Sequence, residues 1–472
     1  MNIWIAALDA HGKGGITTHI SALTKQLIEM GHSVEWITPG GEITEHISNI
    51  VINTNRQLFN KYPNNLSVDV IETWAVRLEM NLRLKLGESK PDIIHCQDVI
   101  AYNRIKVIAE KWGIPILLTI HGHIPEEEVI NGHIENNSLE YKYWRKSEWF
   151  ALKEVGTVVS VGEGLLKYLK MINKDANVVN IPNFLHHSFS DVKISDVRSQ
   201  LGIDHDQFLI FCPSRYEYIK GIDYLLDAVA ALPNEYSLLL IDNGQTGLKE
   251  SVANRQLNNR VKIIEPVDNQ LMSSLYNASD LCAIPSIQIG VKTETSSYTA
   301  IEAMLMGVPV IASDVGGLSE VVSSWGKLVP MQDSVALEKG IIEMLGSRDR
   351  NLHYKKLAAE RAANFEASKI VPEIVELYES TITQYAPTHV TPFILYGFSA
   401  KVLQMIFLTI LDEVEEIKEI TDFAKVRFGV SYRQSLLNSY GIIIDLLAEN
   451  YSDIYEAGLR VKSILQEYIE KR

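Results

Sequence analysis

The chain has 472 residues, 46% of them hydrophobic and 22% charged, with a formal net charge of -15. This length predicts two to three domains, and the composition excludes bulk disorder. The acidic balance excludes non-specific nucleic-acid binding, which needs clustered Lys and Arg, and disfavours attraction to an anionic membrane surface.

Apolar runs alternate with amphipathic segments along most of the chain, the pattern of parallel sheets covered by helices. The N-terminus lacks a basic leader and reads as a buried strand, Ile3 to Leu8. A Gly-rich turn follows, then a helix from Thr17 to Met30, a strand Ser33 to Ile37, and the strand-like runs PDIIHCQ and ILLTIHG. A helix–strand–helix segment, ALKEVGTVVSVGEGLLKYL, and the run VVNIPN close this first series. A second begins after Asp191, with strands at FLIFCPSR, YSLLLID, VKIIEPV, DLCAIPS and VPVIAS. Helices are expected over Gly221 to Leu232, Gln270 to Ala278, Tyr298 to Met306, Ala336 to Leu345 and Lys355 to Phe365. Two α/β halves of this kind predict two doubly wound domains facing a cleft, with ligands outside the carboxyl ends of the strands.

Ile370 to Tyr385 reads as an amphipathic helix, and residues 393–472 keep only helical periodicity, as an all-helical appendage. Its most apolar stretch, Val402 to Leu411, is ten residues long and interrupted by Gln404, against the roughly 20 needed to span a bilayer. Cys96, Cys212 and Cys282 sit in or beside apolar runs without metal-type spacing, which suggests small core residues in a reducing, cytoplasmic compartment.

The segment ETSSYTAIEAMLMGVPVIASDVGGLSE carries the strongest chemical signal. Glu294 lies in a loop after a strand, and Glu302 follows eight residues later inside a helix. Between them Ser296, Ser297, Tyr298 and Thr299 form the helix N-terminus, whose unpaired N–H groups suit a phosphate. The segment PSRYEYIKGIDYLLDA places Arg215 at a strand end and Lys220 five residues on, a guanidinium and an ammonium able to clamp a diphosphate. In the first βα turn, Gly14 and Gly15 permit close backbone approach to a ligand. His121 stands just past a strand end, where it can reach the cleft, and His123 is a weaker candidate. Asp98 is a candidate for orienting an acceptor, and Lys142, Arg145 and Lys146 for attracting an anionic one.

These residues resemble family 4 of the retaining glycosyltransferases, which have the GT-B fold and an E-x7-E motif. Glu294, Glu302, Ala303, Met304, Gly307, Pro309, Val310, Ile311, Ala312, Ser313, Gly316 and Gly317 match the family string. Ser296 and Ser297 replace its usual Phe and Gly. Arg215 and Lys220 match the family's S-R-x-x-x-x-K-G signature, and Gly14, Gly15 and His19 its G-G-x-x-x-H turn. The resemblance covers residues 1–385. It implies an acceptor-side domain over 1–187, a nucleotide-sugar domain over 188–368 and a crossover helix over 369–385, and leaves 386–472 outside it, an appendage whose amphipathic helices fit self-association first, or covering the acceptor cleft or binding a partner.

By resemblance, Arg215 and Lys220 bind the donor diphosphate, Glu294 holds the transferred sugar, Glu302 the ribose, and His121 faces the sugar. The Gly15 region would touch the donor across the cleft, while His19 is structural. The implied reaction is retaining transfer from a nucleoside-diphosphate sugar, a UDP-sugar first, without metal or cofactor. Other readings are a sugar-nucleotide epimerase or phosphorylase, a non-catalytic scaffold, and an ATPase with a deviant phosphate loop. The last is weakened because Thr18 stands where KGGxxK[ST]T requires a second Lys.

Overall fold

The computed structural model describes residues 1–8, 14–40, 74–189 and 197–385, apart from a few isolated positions within these ranges. The expected helical appendage, residues 386–472, lies outside the described residues. So does Lys13 of the KGGITT segment.

Among the described residues, twelve strands form two sheets of six. The first contains β1 (Asn2–Ala6), β2 (Ser33–Ile37), β3 (Ile93–Cys96), β4 (Ile116–Ile120), β5 (Val158–Ser160) and β6 (Val178–Asn180). Its order is β2-β1-β3-β4-β5-β6. The second contains β7 (Phe208–Cys212), β8 (Tyr236–Ile241), β9 (Val261–Ile264), β10 (Leu281–Ile284), β11 (Val310–Ser313) and β12 (Lys327–Val329). Its order is β12-β11-β10-β7-β8-β9. All ladder pairings are parallel, so helices must make the crossovers and cover both faces. This is why β7, β8 and β10 read as unbroken apolar runs rather than alternating ones. The short strand β12 is absent from the expectations above, because three residues between a Gly and a Pro carry little periodic signal.

In each sheet the strand order reverses once, between β1 and β3 in the first and between β7 and β10 in the second. Such switch points open a crevice at the carboxyl ends of the strands. Here the two crevices face one another.

Two apolar clusters cover the faces of the second sheet, one built on Phe211, Met304 and Val310, the other on Leu226, Leu240 and Ile341. The first domain's cluster joins Ile3, Ile5, Leu23 and Leu117 to Ile370, Val371, Ile374 and Tyr378 of the helix Ala367–Gln384. That helix therefore returns from the second domain to the first. Tyr378 OH lies 2.7 Å from Nδ1 of the fully buried His95, whose Nε2 is 2.7 Å from Thr119 Oγ1. Burial and nearby His19 lower the His95 pKa to about 3, so the ring is neutral. The two passages between domains run side by side, bridged in parallel at Leu185 and Glu366.

Cys96, Cys212 and Cys282 are free, fully buried thiols within the strands. No helix among the described residues is long and apolar enough to cross a membrane.

Candidate functional site

Loops from both switch points line one cavity of about 740 Å³ between the domains. The second domain supplies Ser214, Arg215 and Lys220 after β7, and Thr293 to Thr299 after β10. The first supplies Gly15, Gln97 and Asp98, then His121, Gly122 and Glu127.

Lys220 ends a short 3-10 turn, Tyr218–Lys220, and Gly221 adopts φ +64 before the helix Ile222–Ala231 begins. A side chain at Gly221 would be strained there and would also strike the Pro285 carbonyl. This close approach sets the β7 loop against the β10 loop. Lys220 Nζ donates to Glu294 Oε1 at 2.6 Å, and Ser286 Oγ donates to the same oxygen at 3.0 Å. Burial by itself would push the Glu294 carboxyl up. The charge and hydrogen bond of Lys220, then Ser286 and Arg215, outweigh that and hold it below the ordinary carboxylate range. Glu294 is thus an anion at neutral pH.

Behind Glu294, the helix Gly316–Val322 packs its first turn on the loop. Gly317 N donates to the Glu294 carbonyl at 2.6 Å, and a Cβ on Gly317 would collide with the Thr295 carbonyl. The paired glycines therefore seat the loop that carries Glu294.

The helix Tyr298–Leu305 starts at the cavity wall, with Ser297 as N-cap. Ser297 Oγ accepts from Ala300 N at 3.4 Å, so this hydroxyl serves the helix. The other first-turn N–H groups have no partner within the helix and face the cavity end. Gly307, at φ +69, terminates the helix. Arg215 reaches into the same space with a 62% exposed side chain, paired with Glu217 at 3.2 Å. Arg215, Lys220, Glu294, Ser296, Ser297, Tyr298 and Thr299 are thus brought together on one wall.

Glu302 is not among the residues lining this cavity. Its Oε2 accepts from Tyr276 OH at 2.8 Å, and burial raises its pKa to about 7 against that hydrogen bond. The apolar cluster around Tyr276 makes this a half-buried acid whose ionisation is costly.

On the opposite wall, the helix Gly15–Glu29 begins at Gly15, and a Cβ there would sit 3.4 Å from the Tyr298 ring of the second domain. Gly14, at the N-cap, has open space around it. His121 Nε2 is 2.9 Å from Gln97 Oε1, and its ring packs edge-on against His19 at 4.8 Å. Burial, with His19 and His95 nearby, lowers the His121 pKa well below the ordinary range, so the ring is neutral. His19 lies 3.1 Å from Asn183 Oδ1, which fixes it in the first domain's interior. Its pKa falls to about 4, chiefly through burial.

The domains are joined around the cavity. Thr295 Oγ1 donates to the His121 carbonyl at 3.1 Å, Asn183 Nδ2 to the Ser296 carbonyl at 3.2 Å, and Lys292 Nζ to Asn131 Oδ1 at 2.8 Å. Glu320 accepts from Glu163 N at 2.9 Å and Gly164 N at 3.1 Å, capping the helix Glu163–Ile172 from across the interface. Sequence reading gave Glu320 no role, because its partners lie 156 and 157 residues away.

Two expectations need correction. Asp98 does line the cavity, but its oxygens accept from Ala101 N at 2.6 Å and Leu8 N at 2.9 Å, so it caps a helix and pins β1. Arg145 is not offered to an anionic acceptor: its guanidinium pairs with Glu126 and Glu148 and donates to Tyr168 OH at 2.8 Å. Glu148 is fully buried, which raises its pKa to about 8 despite Arg145.

Residues 13–189 match the family model "Glycosyltransferase Family 4", and residues 193–361 match "Glycosyl transferases group 1". An uncharacterised glycosyltransferase of Methanocaldococcus jannaschii is 26% identical over 323 residues, 66% of this chain and 79% of that protein. Sucrose-phosphate synthase from Thermosynechococcus elongatus superposes with a TM-score of 0.63 at 21% identity, covering 81% of this chain and all (100%) of that one. Anabaena HepE, solved in complex with UDP-glucose, gives a TM-score of 0.59 at 21% identity and covers 80% and 100% of the two chains. These two structures share the GT-B fold found here. The two cleft-forming halves thus each match a glycosyltransferase model, and the chain belongs to the family 4, group 1 glycosyltransferases.

Proposed function

We propose that the chain transfers a sugar, with retention of anomeric configuration, from a UDP-sugar to an acceptor held on the first-domain wall. The single observation carrying this reading is the Lys220–Glu294 pair, 2.6 Å apart, set beside Arg215 and the start of the helix Tyr298–Leu305. Two cations and a helix end there offer a pre-formed cradle for a diphosphate. HepE, similar in fold, binds UDP and UDP-glucose, which favours uridine as the donor base.

Arg215, Lys220 and the helix N-terminus would stabilise negative charge developing on the departing diphosphate. With that charge supplied by the protein, the step needs no metal. Glu294, kept ionised, accepts hydrogen bonds from hydroxyls of the transferred sugar. His121 donates through Nε2 to Gln97, which leaves Nδ1 as an acceptor toward the sugar. Gly14 and Gly15 would let the first domain's backbone close on the donor. The departing phosphate oxygen serves as the base for an acceptor attacking on the same face. Buried free thiols and a nucleotide-sugar donor agree with a cytoplasmic setting.

Screening nucleotide sugars for thermal stabilisation, then for slow donor hydrolysis, tests this reading. A UDP-sugar that stabilises and is hydrolysed with retention supports it. Stabilisation by no nucleotide sugar counts against it.

A further inference from the structure

The first passage between the domains continues past Leu185 into two adjacent histidines, His186 and His187, beside the last residue of the helix Gly15–Glu29. Glu29 Oε1 lies 3.0 Å from His186 Nε2 and 3.9 Å from His187 Nε2. One ligating atom from each residue falls within 4.8 Å of the others. Zinc bonds of about 2.0–2.1 Å in tetrahedral geometry set ligand atoms roughly 3.3 Å apart. The observed separations bracket that distance.

We propose that Glu29, His186 and His187 form a transition-metal site, zinc in the first instance, tying this helix to the interdomain passage.

Three features favour a site over an incidental pair. His186 is only 6% exposed, and its buried Nε2 faces Glu29 Oε1 at 3.0 Å. An imidazole nitrogen and a carboxylate oxygen held that close are placed to share a cation. Its other nitrogen, Nδ1, lies 2.9 Å from Ser188 Oγ and 3.3 Å from the Ser188 N–H, and Ser188 Oγ accepts from Lys25 Nζ at 3.0 Å. A metal-bound imidazole donates through its second nitrogen, so metal at Nε2 would select the tautomer that bonds Ser188 Oγ. The side chains of His187 and Glu29 are 58% and 47% exposed, so small rotations complete the set and solvent supplies the fourth ligand. Two imidazoles and one carboxylate make a nitrogen–oxygen donor set of the kind that takes zinc.

The site is remote from the diphosphate cradle. The 15-residue helix runs from Gly15, against Tyr298, to Glu29, roughly 21 Å at 1.5 Å per residue. Metal there would act on how the first domain is held to the passage between domains, not on the transferred sugar.

The test uses the full chain stripped with chelator, titrated with zinc chloride by calorimetry and with cobalt chloride by visible absorption. Wild type should bind one zinc per chain and give the intense ligand-field bands of four-coordinate cobalt. Glu29→Gln and His187→Ala should each weaken zinc binding by about tenfold or more, as expected when one ligand of three is lost. Both positions are solvent-exposed, so unfolding is not a competing explanation, and circular dichroism verifies it. Absence of stoichiometric zinc binding in wild type would overturn the proposal. So would zinc affinity unchanged in both variants, which would assign binding to other histidines or thiols.

Discussion

Lys220 Nζ and Glu294 Oε1 meet at 2.6 Å, linking the loop after β7 to the loop after β10 across the second sheet's switch point. The pair fixes the charge state of the acid. Glu294 sits below the ordinary range, so the stability it contributes is present above its unfolded pKa and lost as pH falls through the folded one. In Lys220→Met, burial acts on Glu294 with much less opposition and its pKa rises. The acid limb of kcat/KM against pH should then move to higher pH, with turnover down by about 10²–10³. An unmoved limb, measured across both enzymes, would show that Lys220 does not set the ionisation.

Glu302 presents the opposite sign. Its pKa is raised to about 7, so the folded protein binds this proton more tightly than the unfolded chain. The group's contribution to stability is full at low pH and lost as pH rises between its unfolded value and about 7. Glu302→Gln keeps an acceptor for Tyr276 and removes the titration. Denaturant unfolding should show the variant gaining about 1–3 kcal/mol on wild type between pH 5 and pH 8. A difference constant with pH would contradict this.

Glu320 holds two N–H groups of the helix Glu163–Ile172 from the other domain. Removing a carboxylate from a helix N-terminus costs about 0.5–2 kcal/mol. Because the bond crosses the interface, Glu320→Ala should raise the donor KM several-fold more than it lowers kcat. Steady-state kinetics with a stabilising donor gives the split, and a loss confined to kcat would argue for direct chemistry at Glu320.

Arg145→Ala would strip Glu126, Glu148 and Tyr168 of the donor they share. Glu148, its pKa pushed up to about 8, is largely neutral near pH 7, so the loss is one of hydrogen bonds, about 1–3 kcal/mol, and the unfolding midpoint should drop while acceptor KM in the folded fraction stays put. A selective rise in acceptor KM without lost stability would restore the acceptor-binding reading of Arg145.

Much of this architecture was legible because parallel strands are buried on both faces. Runs such as FLIF and YSLLLI carry that burial in their composition, and Gly307 and Ser297 mark the ends of their helix chemically. The wall bearing Arg215, Lys220 and Glu294 was legible because a loop and a helix start each announce themselves locally. What escaped depends on distant partners. Tyr276 reaches Glu302 across 26 residues, and His95 meets Tyr378 across 283. Asp98 looked available for an acceptor because nothing nearby in sequence shows that Leu8 N, 90 residues before it, occupies its second oxygen. Arg145 looked free for the same reason: Glu126 approaches it from a separate helix.

In the proposed reading, Arg215, Lys220 and the start of the Tyr298 helix together seat a pyrophosphate. Calorimetric titration of UDP and of uridine into wild type and the Arg215→Ala, Lys220→Ala double variant tests it most directly. Two lost charge-assisted contacts of about 1.5–3 kcal/mol each predict UDP affinity reduced at least a hundredfold. Uridine affinity should be unchanged. UDP binding equally tightly to both proteins would contradict the account.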